Sequence, residues 1–600
     1  MITFIAAMYE EARPFIEILG LKKRADEHHY QYFVADGFEV IIVGEGLVSA
    51  LRNCSRHFAI HEPSYDDLAV NVGICGSSSG NVGDLFLINK ITDDLTGKTY
   101  YPDLLYKNDF TMSSMTTVNR PASEGEGLYD MEASMVYEAL TPYFTLERIF
   151  FFKVISDVFD GRDIRDKNID PYGNILKHAQ RIIDFVSNIR IEPKLDLDDI
   201  VIPDITDRLC LTETMRNKLK RIIFYRRLNG MDTDLSFIVD IVFEDNSKES
   251  KKEVFDRICD ELIRKTDLSF SKKKVDEGLF PPFTNIYAEK DIEVLFKNRN
   301  VVRIDSYKDI FNRSGQNFDI QKRSPALILA RQRGQFIYKG ARVCQDFGND
   351  HFYYCSCMMN CIFDCKYCYL CGMYPTGNVV AFMNFEDILK EIDEILKIHP
   401  MYLCVSYDTD LLAVENMFGF VGRFIEAAKS REDLTIEIRT KSGNPGIFSG
   451  FEPSDRIIFA WTLSPDKVTM LEDKAAPLDK RLEAMKACSD LGFKVRVCFD
   501  PVIYYSDWEK DYLELVDKVF NTIAPDRIND VSIGVFRLSS DQLKLMRRRR
   551  PDTPVTSFPF KSENGVAHYG DITSEMISKL KSKVREYIED NKIFVWEEGS

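Results

Sequence analysis

An α/β protein of several domains is the fold class this sequence predicts, and three observations predict it. The chain has 600 residues, too long for one hydrophobic core, and at about 150 residues per domain it divides into about four. Residues 1–190 alternate short apolar strands with amphipathic helices, the pattern of a layered α/β architecture. An apolar content of 45% and a charged content of 29% describe an ordinary globular chain.

Taken in order, "MITFIAAM" and "FEVIIVGEG" read as short apolar strands and "LVSALRNCSRHFAI" has helical spacing. "LAVNVGICGS" is a further strand running into a glycine turn, and a final helix places Leu176, Ala179, Ile183 and Val186 on one face. "RIEPKLDLDDIVIPD" is an acidic, proline-punctuated linker. It opens a small helical or α/β module over residues 191–284. "TETMRNKLKRIIFYRRLNG" is a helix closed by Gly230 and carrying Lys218, Lys220, Arg221, Arg226 and Arg227. "LSFIVDIVFE" alternates as a strand, and "SKKEVFDRICDELIRK" is a second amphipathic helix. The basic helix reads either as a solvated charged face or as a nucleic-acid contact. "LMRRRRPD", with Arg547 to Arg550, reads either as a solvated helix end or as a phosphate contact.

A net charge of −17 argues against a chain that coats nucleic acid non-specifically. No apolar run reaches the length of a membrane span. The N-terminus lacks a basic segment and a cleavage site, so the expected location is cytoplasmic, with no membrane partner.

Six of the fourteen cysteines lie between Cys355 and Cys371. Fourteen unevenly spaced cysteines do not make a secreted disulfide framework, and in a reducing compartment a tight cluster points to metal. Cys365-x2-Cys368-x2-Cys371 begins a ferredoxin run, but the position of its fourth cysteine holds Pro375. A zinc site wants a second C-x2-C pair or a histidine pair. The nearest histidine is His351, and no second downstream pair exists. The remaining frame is Cys361-x3-Cys365-x2-Cys368, with Tyr367 before the last cysteine.

That C-x3-C-x-aromatic-C pattern resembles the radical SAM superfamily. The resemblance implies three thiolates on a [4Fe–4S] cluster whose open iron binds S-adenosylmethionine (SAM), with Tyr367 near the adenine. Cys355, Cys357 and Cys371 are then thiols that do not ligate. "CKYCYL", "NIYAEKDIEVLFKNRNV", "IEIRTK" and "APLDKRLEAMKACSDLGFKVRVCFDPVIYYSDWEKDY" resemble the spore photoproduct lyases, which repair a thymine dimer in spore DNA. This implies a C-terminal partial (β/α) barrel of radical SAM type over 285–600. It also implies Lys441 on the SAM carboxylate and an electron donor such as flavodoxin or ferredoxin. The family's hydrogen-donating cysteine precedes a "TSD"-like element. Aligning Asp410 of "LCVSYDTDLLAVE" on its aspartate puts Tyr407 in the cysteine's place and Thr409 at a SAM-contacting serine. Tyr407 and Cys404 are therefore the candidate hydrogen-atom donors. Cys404, three residues away on an extended strand, is expected to face the opposite side.

"AAMYEEARPF", "VGEGLVSA", "YDMEASMVYEAL" and "VISDVFD", in that order, resemble the methylthioadenosine/S-adenosylhomocysteine nucleosidases of the purine nucleoside phosphorylase superfamily. The resemblance implies a three-layer α/β domain over 1–190 that takes an adenine nucleoside. Glu11 would orient water, Met131 and Glu132 would hold the ribose, and Asp157 would protonate the leaving purine. N-glycosidic cleavage needs such a positioning carboxylate and such an acid. The front domain is short for that family, and "NVGICGS" replaces its usual glycine–serine pattern. The whole chain reads as a nucleosidase that hydrolyses 5′-deoxyadenosine, methylthioadenosine or S-adenosylhomocysteine, fused to a radical SAM enzyme whose substrate could be nucleic acid. A DNA repair lyase, and a nucleic-acid-binding sensor whose front domain binds SAM-derived nucleosides, stand as alternatives.

Overall fold

The computed structural model describes residues 1–24, 30–159, 169–191, 197–202, 209–231, 250–268, 278–297, 299–340 and 344–596. The strand expected at "LSFIVDIVFE" lies outside them. The chain divides into two units, Met1–Pro193 with Asp276–Leu327, and Lys194–Val275 with Ile328–Ser600.

The first unit is built on a mixed sheet. Strand β1 (Ile2–Ala6) is followed by α1 (Tyr9–Leu19), β2 (Phe38–Ile42), α2 (Leu47–Ile60) and β3 (Leu68–Ser77). Then come β4 (Leu85–Asp93), β5 (Thr111–Thr117), β6 (Leu128–Asp130), α3 (Ala133–Leu140), β7 (Ile149–Val158) and α4 (Pro171–Ser187). β1 lies parallel between β2 and β3, and β3 also pairs with β7 and β6. β6 continues through β5 and β4 back to β7, so five strands close a ring beside the open part of the sheet.

The central strands β1, β2 and β3 are mostly apolar because both faces are covered. Phe4, Val40 and Val70 join α1 and α4 residues in one core, while Ile5, Ile41 and Ala69 join α2 and α3 residues in the other. This strict alternation gives the expected three layers. On α4 the buried face is Ile175, Ala179, Ile182, Ile183 and Val186, and Leu176 is exposed. The helical period centres one residue away from the expected stripe.

Residues 285–327, which the sequence assigns to the start of the C-terminal domain, fold with this unit. Asn285 Nδ2 donates to Leu104 O at 2.8 Å, Gln321 Nε2 to Asp103 Oδ2 at 2.6 Å, and Arg313 pairs with Asp103 at 2.5 Å, 8% and 3% exposed. Local hydrophobic pattern does not reveal which neighbour such a segment joins.

In the second unit, α5 (Glu213–Leu228) and α6 (Lys251–Arg264) precede a singly wound parallel sheet. Both helices are those the sequence predicts, and Gly230 closes α5 with φ +68°. Tyr225 of α5 packs edge-on to Phe558 at 5.6 Å. The strands are β8 (Phe352–Cys355), β9 (Met401–Cys404), β10 (Leu434–Thr440), β11 (Ile457–Thr462), β12 (Lys494–Val502), β13 (Ile528–Val535) and β14 (Ile593–Val595). They are parallel and neighbour one another in chain order. Between them run α7 (Leu370–Met373), α8 (Phe385–Leu396), α9 (Phe420–Lys429), α10 (Leu478–Asp490), α11 (Trp508–Thr522), α12 (Ser540–Arg549) and α13 (Asp571–Val584). Sequential parallel order with helical crossovers is the topology of a partial (β/α) barrel.

One face of this sheet carries a buried charge network. Arg496, 2% exposed, pairs with Asp530 and Glu437, donates to the Tyr402 hydroxyl at 2.7 Å and lies 3.4 Å over the Phe347 ring. Such a network holds only when fully partnered. Among the described residues, no helix is long and apolar enough to cross a membrane.

Candidate active sites

The cysteine loop is shaped by its neighbours. Asn360 sits in the left-handed region at φ +69°, and its Nδ2 donates to Thr376 O and Asn378 O at 2.6 and 2.9 Å, closing the loop at its base. Asp364 and Cys365 pair antiparallel with Glu472 and Asp473. Cys365 is buried, whereas Cys361 and Cys368 are half-buried. Cys365 feels the charge of both other thiols, and Cys361 Sγ accepts from Phe363 N at 3.4 Å.

Lys441, from the end of β10, lies beside Cys365, Glu472 and Cys368. Its Nζ is 3.8 Å from Glu472 and 5.4 Å over the Tyr367 ring. Glu472 is fully buried and accepts from the Tyr367 hydroxyl and the Arg481 guanidinium. Asp410 accepts from Lys441 N at 2.7 Å and Thr440 Oγ1 at 2.9 Å, which fixes where the lysine leaves the strand. Thr409 is buried on the same turn. Two of the expected SAM contacts, Tyr367 and Lys441, thus meet at the cysteine loop. Glu472 and Arg481 belong to the site without a local signal in the sequence. A glutamate six residues before a proline-opened helix gives no sign that it is buried.

The expectation that Cys404 turns away from Tyr407 is overturned. β9 ends at Cys404, so the chain is no longer extended, and the Tyr407 ring turns back to pack on the same apolar cluster as Cys404. The Tyr369 hydroxyl donates to Tyr407 O, tying this turn to the cysteine loop.

Three of the arginines in "RRRR" serve neither as a solvated end nor as a phosphate contact. Arg550 pairs with Asp364 at 2.6 Å, both 2% exposed, and Asp364 also takes Lys366 at 3.0 Å. Arg549 donates to Cys371 O and, at 2.8 Å, to Tyr374 O. Arg547 donates to Thr556 O and Phe558 O at 2.7 and 2.8 Å. Of the four, only Arg548 is exposed. α12 and α7 approach so closely that a Cβ on Gly372 would lie 2.8 Å from Gln542 O. The arginines at the end of α12 therefore hold the cysteine loop from behind. The basic helix α5 is likewise partly consumed: Arg226 is buried on Leu262 O at 3.0 Å, and Lys218 faces Asp256 at 3.4 Å.

In the first unit, Glu11 lies in the opening turn of α1 and is 3% exposed. One oxygen accepts from Ala7 N and Met8 N at 3.0 and 3.1 Å, and the other from Ile74 N at 2.9 Å. Glu132 accepts from Gly46 N at 2.7 Å, and Asp157 from the Ser156 hydroxyl at 2.9 Å. Met131, half-buried, precedes Glu132. The centre of the group is Lys153, 2% exposed, 2.9 Å from Asp130 and electrostatically coupled to Glu132 and Glu11. A Cβ on Gly73 would lie 2.9 Å from Glu11 Oε1 and 3.2 Å from Lys153 Nζ, so a larger residue there would press on both charged groups. Cys75 senses Lys153, Asp130 and Asp157 together, which puts Asp157 on the same patch. Three carboxylates, those of Asp130, Glu132 and Glu11, face one lysine. Burial, then Asp130, pushes Glu132 up to about 7, and burial also raises Glu11. The one local sign of Lys153 in the sequence is a lone charge inside the run "IFFFKVIS".

Among the described residues, no three His, Cys, Asp or Glu side chains converge on a point that would hold one metal ion. An iron–sulfur cubane takes its thiolates on separate irons, so its thiols surround a volume and do not meet. Three neighbouring thiols on one pinned loop, with a lysine beside them, fit that group.

The fold and loop define a radical-SAM-type domain on a partial (β/α) barrel, alongside an α/β unit formed by the front of the chain. Residues 351–592 match the spore photoproduct lyase family model, so the C-terminal part carries a spore photoproduct lyase domain. The spore photoproduct lyase of Bacillus subtilis strain 168 is 22% identical over 202 residues, 32% of this chain. The chain spans 59% of the length of that relative. A solved spore photoproduct lyase complexed with dinucleoside spore photoproduct is 14% identical, with a TM-score of 0.44 over 52% of this chain and 98% of that one. The N-terminal region matches the apo 5′-methylthioadenosine nucleosidase of Arabidopsis thaliana, 18% identical, with a TM-score of 0.27 over 32% of this chain and 96% of that one.

Proposed function

We propose that the protein cleaves SAM reductively at Cys361, Cys365 and Cys368 and hydrolyses the 5′-deoxyadenosine it makes, or methylthioadenosine or S-adenosylhomocysteine, in its first unit. The observation that carries the reading is the meeting of Lys441, Tyr367 and buried Glu472 at the cysteine loop. When bound, a [4Fe–4S] cluster with one open iron supplies an electron that breaks the C5′–S bond of SAM. Lys441 supplies a cation for the SAM carboxylate, and Glu472 holds that lysine and Tyr367 in place. Tyr407 and Cys404 supply hydrogen atoms to the radical that follows. The one-electron donor is a flavodoxin- or ferredoxin-type protein.

In the first unit, Glu11 holds and orients water. Glu132 takes the ribose hydroxyls, with Met131 beside it, and Asp157 gives a proton to the leaving purine. Lys153 keeps the carboxylates together in a buried site. Two such activities on one chain have a chemical reason, since a tethered hydrolase clears a product that competes with SAM.

A second reading, repair of a DNA photoproduct with SAM regenerated, is favoured by the family match. The tyrosine at 407 speaks for consumption of SAM. Product analysis after dithionite reduction with SAM, with and without dinucleoside spore photoproduct, separates them. Accumulating methionine and adenine support consumption, and dimer reversal with SAM conserved supports repair.

A further inference from the structure

Two aromatic side chains beside Asp157 belong to neither core of the first unit and to none of the roles given above. Tyr129, on β6, and Phe159, the first residue after β7, are both half-buried, with ring centroids 5.6 Å apart and planes at 52°. Among the described residues, the unit's two hydrophobic cores take the neighbours Leu128 and Val158 but neither ring. The pair is therefore aromatic surface that the fold itself does not consume. Its position is fixed by β3. Gly76 pairs with Tyr129 on one side and with Asp157 on the other, and Phe159 N donates to Ser77 O at 2.8 Å. Side chains two residues apart along a strand share a face, so Phe159 follows Asp157 over the same glycine. A Cβ on Gly76 would lie 2.8 Å from the Phe159 ring and 3.5 Å from Asp157 Oδ1. Ring and carboxylate thus converge over a place that any side chain at 76 would fill. Behind them the hydroxyl end of Tyr129 rests against Gly125, at φ +126°, where a Cβ would collide with it.

We propose that Phe159, backed by Tyr129, is the surface on which the substrate's base stacks, and that it selects purine over pyrimidine nucleosides. The proposal rests on the nucleosidase reading above. Asp157 addresses an edge atom of the base, N7, while the neighbouring ring meets its face. A pyrimidine offers a smaller face and no N7. In the reaction the Asp157 proton passes to N7, the C1′–N9 bond breaks with its electron pair going to the base, and the water oxygen bonds to C1′. Between the first two events the base is a planar cation, and an aromatic face attracts such a cation. Stacking is therefore stronger as the bond breaks than in the bound substrate, so it enters kcat as well as affinity. Tyr129 touches Phe159 and not the base, and is a positioning residue.

Two measurements on the full chain test this: calorimetric binding of an uncleavable adenine C-nucleoside, and adenine release from 5′-deoxyadenosine. Phe159→Leu should weaken the C-nucleoside by about 5- to 150-fold, the worth of one base–aromatic stack, and should lower kcat as well. Phe159→Tyr should restore both. Tyr129→Phe should behave as wild type, whereas Tyr129→Ala should weaken binding in the wild-type background and add nothing to Phe159→Leu. The chain's three tryptophans, Trp461, Trp508 and Trp596, all lie in the second unit. Phe159→Trp therefore gives the first unit a single reporter, and the C-nucleoside should quench it. Wild-type binding and turnover by Phe159→Leu, or an unquenched Phe159→Trp that still binds, overturns the proposal and leaves the nucleosidase reading standing. If wild type neither binds the C-nucleoside nor releases adenine, that reading fails and takes the stacking role with it.

Discussion

Arg550→Met should loosen the cysteine loop without unfolding the unit. Arg550 and Asp364 are each 2% exposed and 2.6 Å apart. Removing one partner of a buried pair typically costs about 3–5 kcal/mol, because the other charge is left buried and unpaired. Lys366, 13% exposed and 3.0 Å from the same carboxylate, keeps part of that compensation. The expected penalty therefore lies at the lower end, about 3 kcal/mol, or about a hundredfold in the equilibrium that opens the loop. The assay is the rate at which reconstituted protein loses iron to a chelator, beside amide exchange of residues 360–374 in metal-free protein. Both should rise in Arg550→Met. Adding Asp364→Asn should recover much of the loss, since neutralising both partners is far less damaging than orphaning one. Iron loss and exchange equal to wild type, in a variant that melts normally, would refute the reasoning.

Cys361→Ala, Cys365→Ala and Cys368→Ala should each abolish iron binding while Cys371→Ala retains it, and iron per chain decides. Cys371 lies at the contact with α12 and is 2% exposed. Lys441→Ala should leave iron unchanged and weaken SAM binding by about 1.5–3 kcal/mol, the worth of a charge-assisted contact, read by equilibrium binding. Glu132 is raised to about 7, so it holds its proton below that pH and ionises above it. Affinity for an uncleavable adenine C-nucleoside should therefore rise as pH passes upward through about 7, and Glu132→Gln should flatten that profile. For stability the sign is opposite: the raised group favours the folded state at low pH, and this contribution fades as pH rises through about 7.

Legibility in the sequence followed the range of the interactions. The alternation of Phe4 and Ile5 or Val40 and Ile41 between two cores is a local pattern, so the layers of the first unit could be read. The helices α5 and α6 of the middle module are local in the same way. The cysteine spacing named the loop, but not what holds it. Arg549 and Arg550 reach back about 180 residues to the cysteine loop, and a run of four arginines looks the same whether it meets phosphate, water or a buried aspartate. Lys153 and Asp130 form their pair across the sheet, and Glu472 gathers Arg481, Lys441 and Tyr367 from three segments. The expectation about Cys404 fails for a different reason, because strand periodicity does not extend past the residue where β9 ends.

The most direct test of two coupled activities on one chain is adenine measured against methionine during multiple turnovers of iron-loaded protein with SAM and reductant. Wild type should release the two in equal amounts. Glu11→Gln should stop adenine release, at a loss of about 10²–10⁴-fold, let 5′-deoxyadenosine accumulate and stall after the first turnovers, with added free nucleosidase restoring the rate. Methionine formed without adenine by wild type, or undiminished turnover in Glu11→Gln, would contradict it.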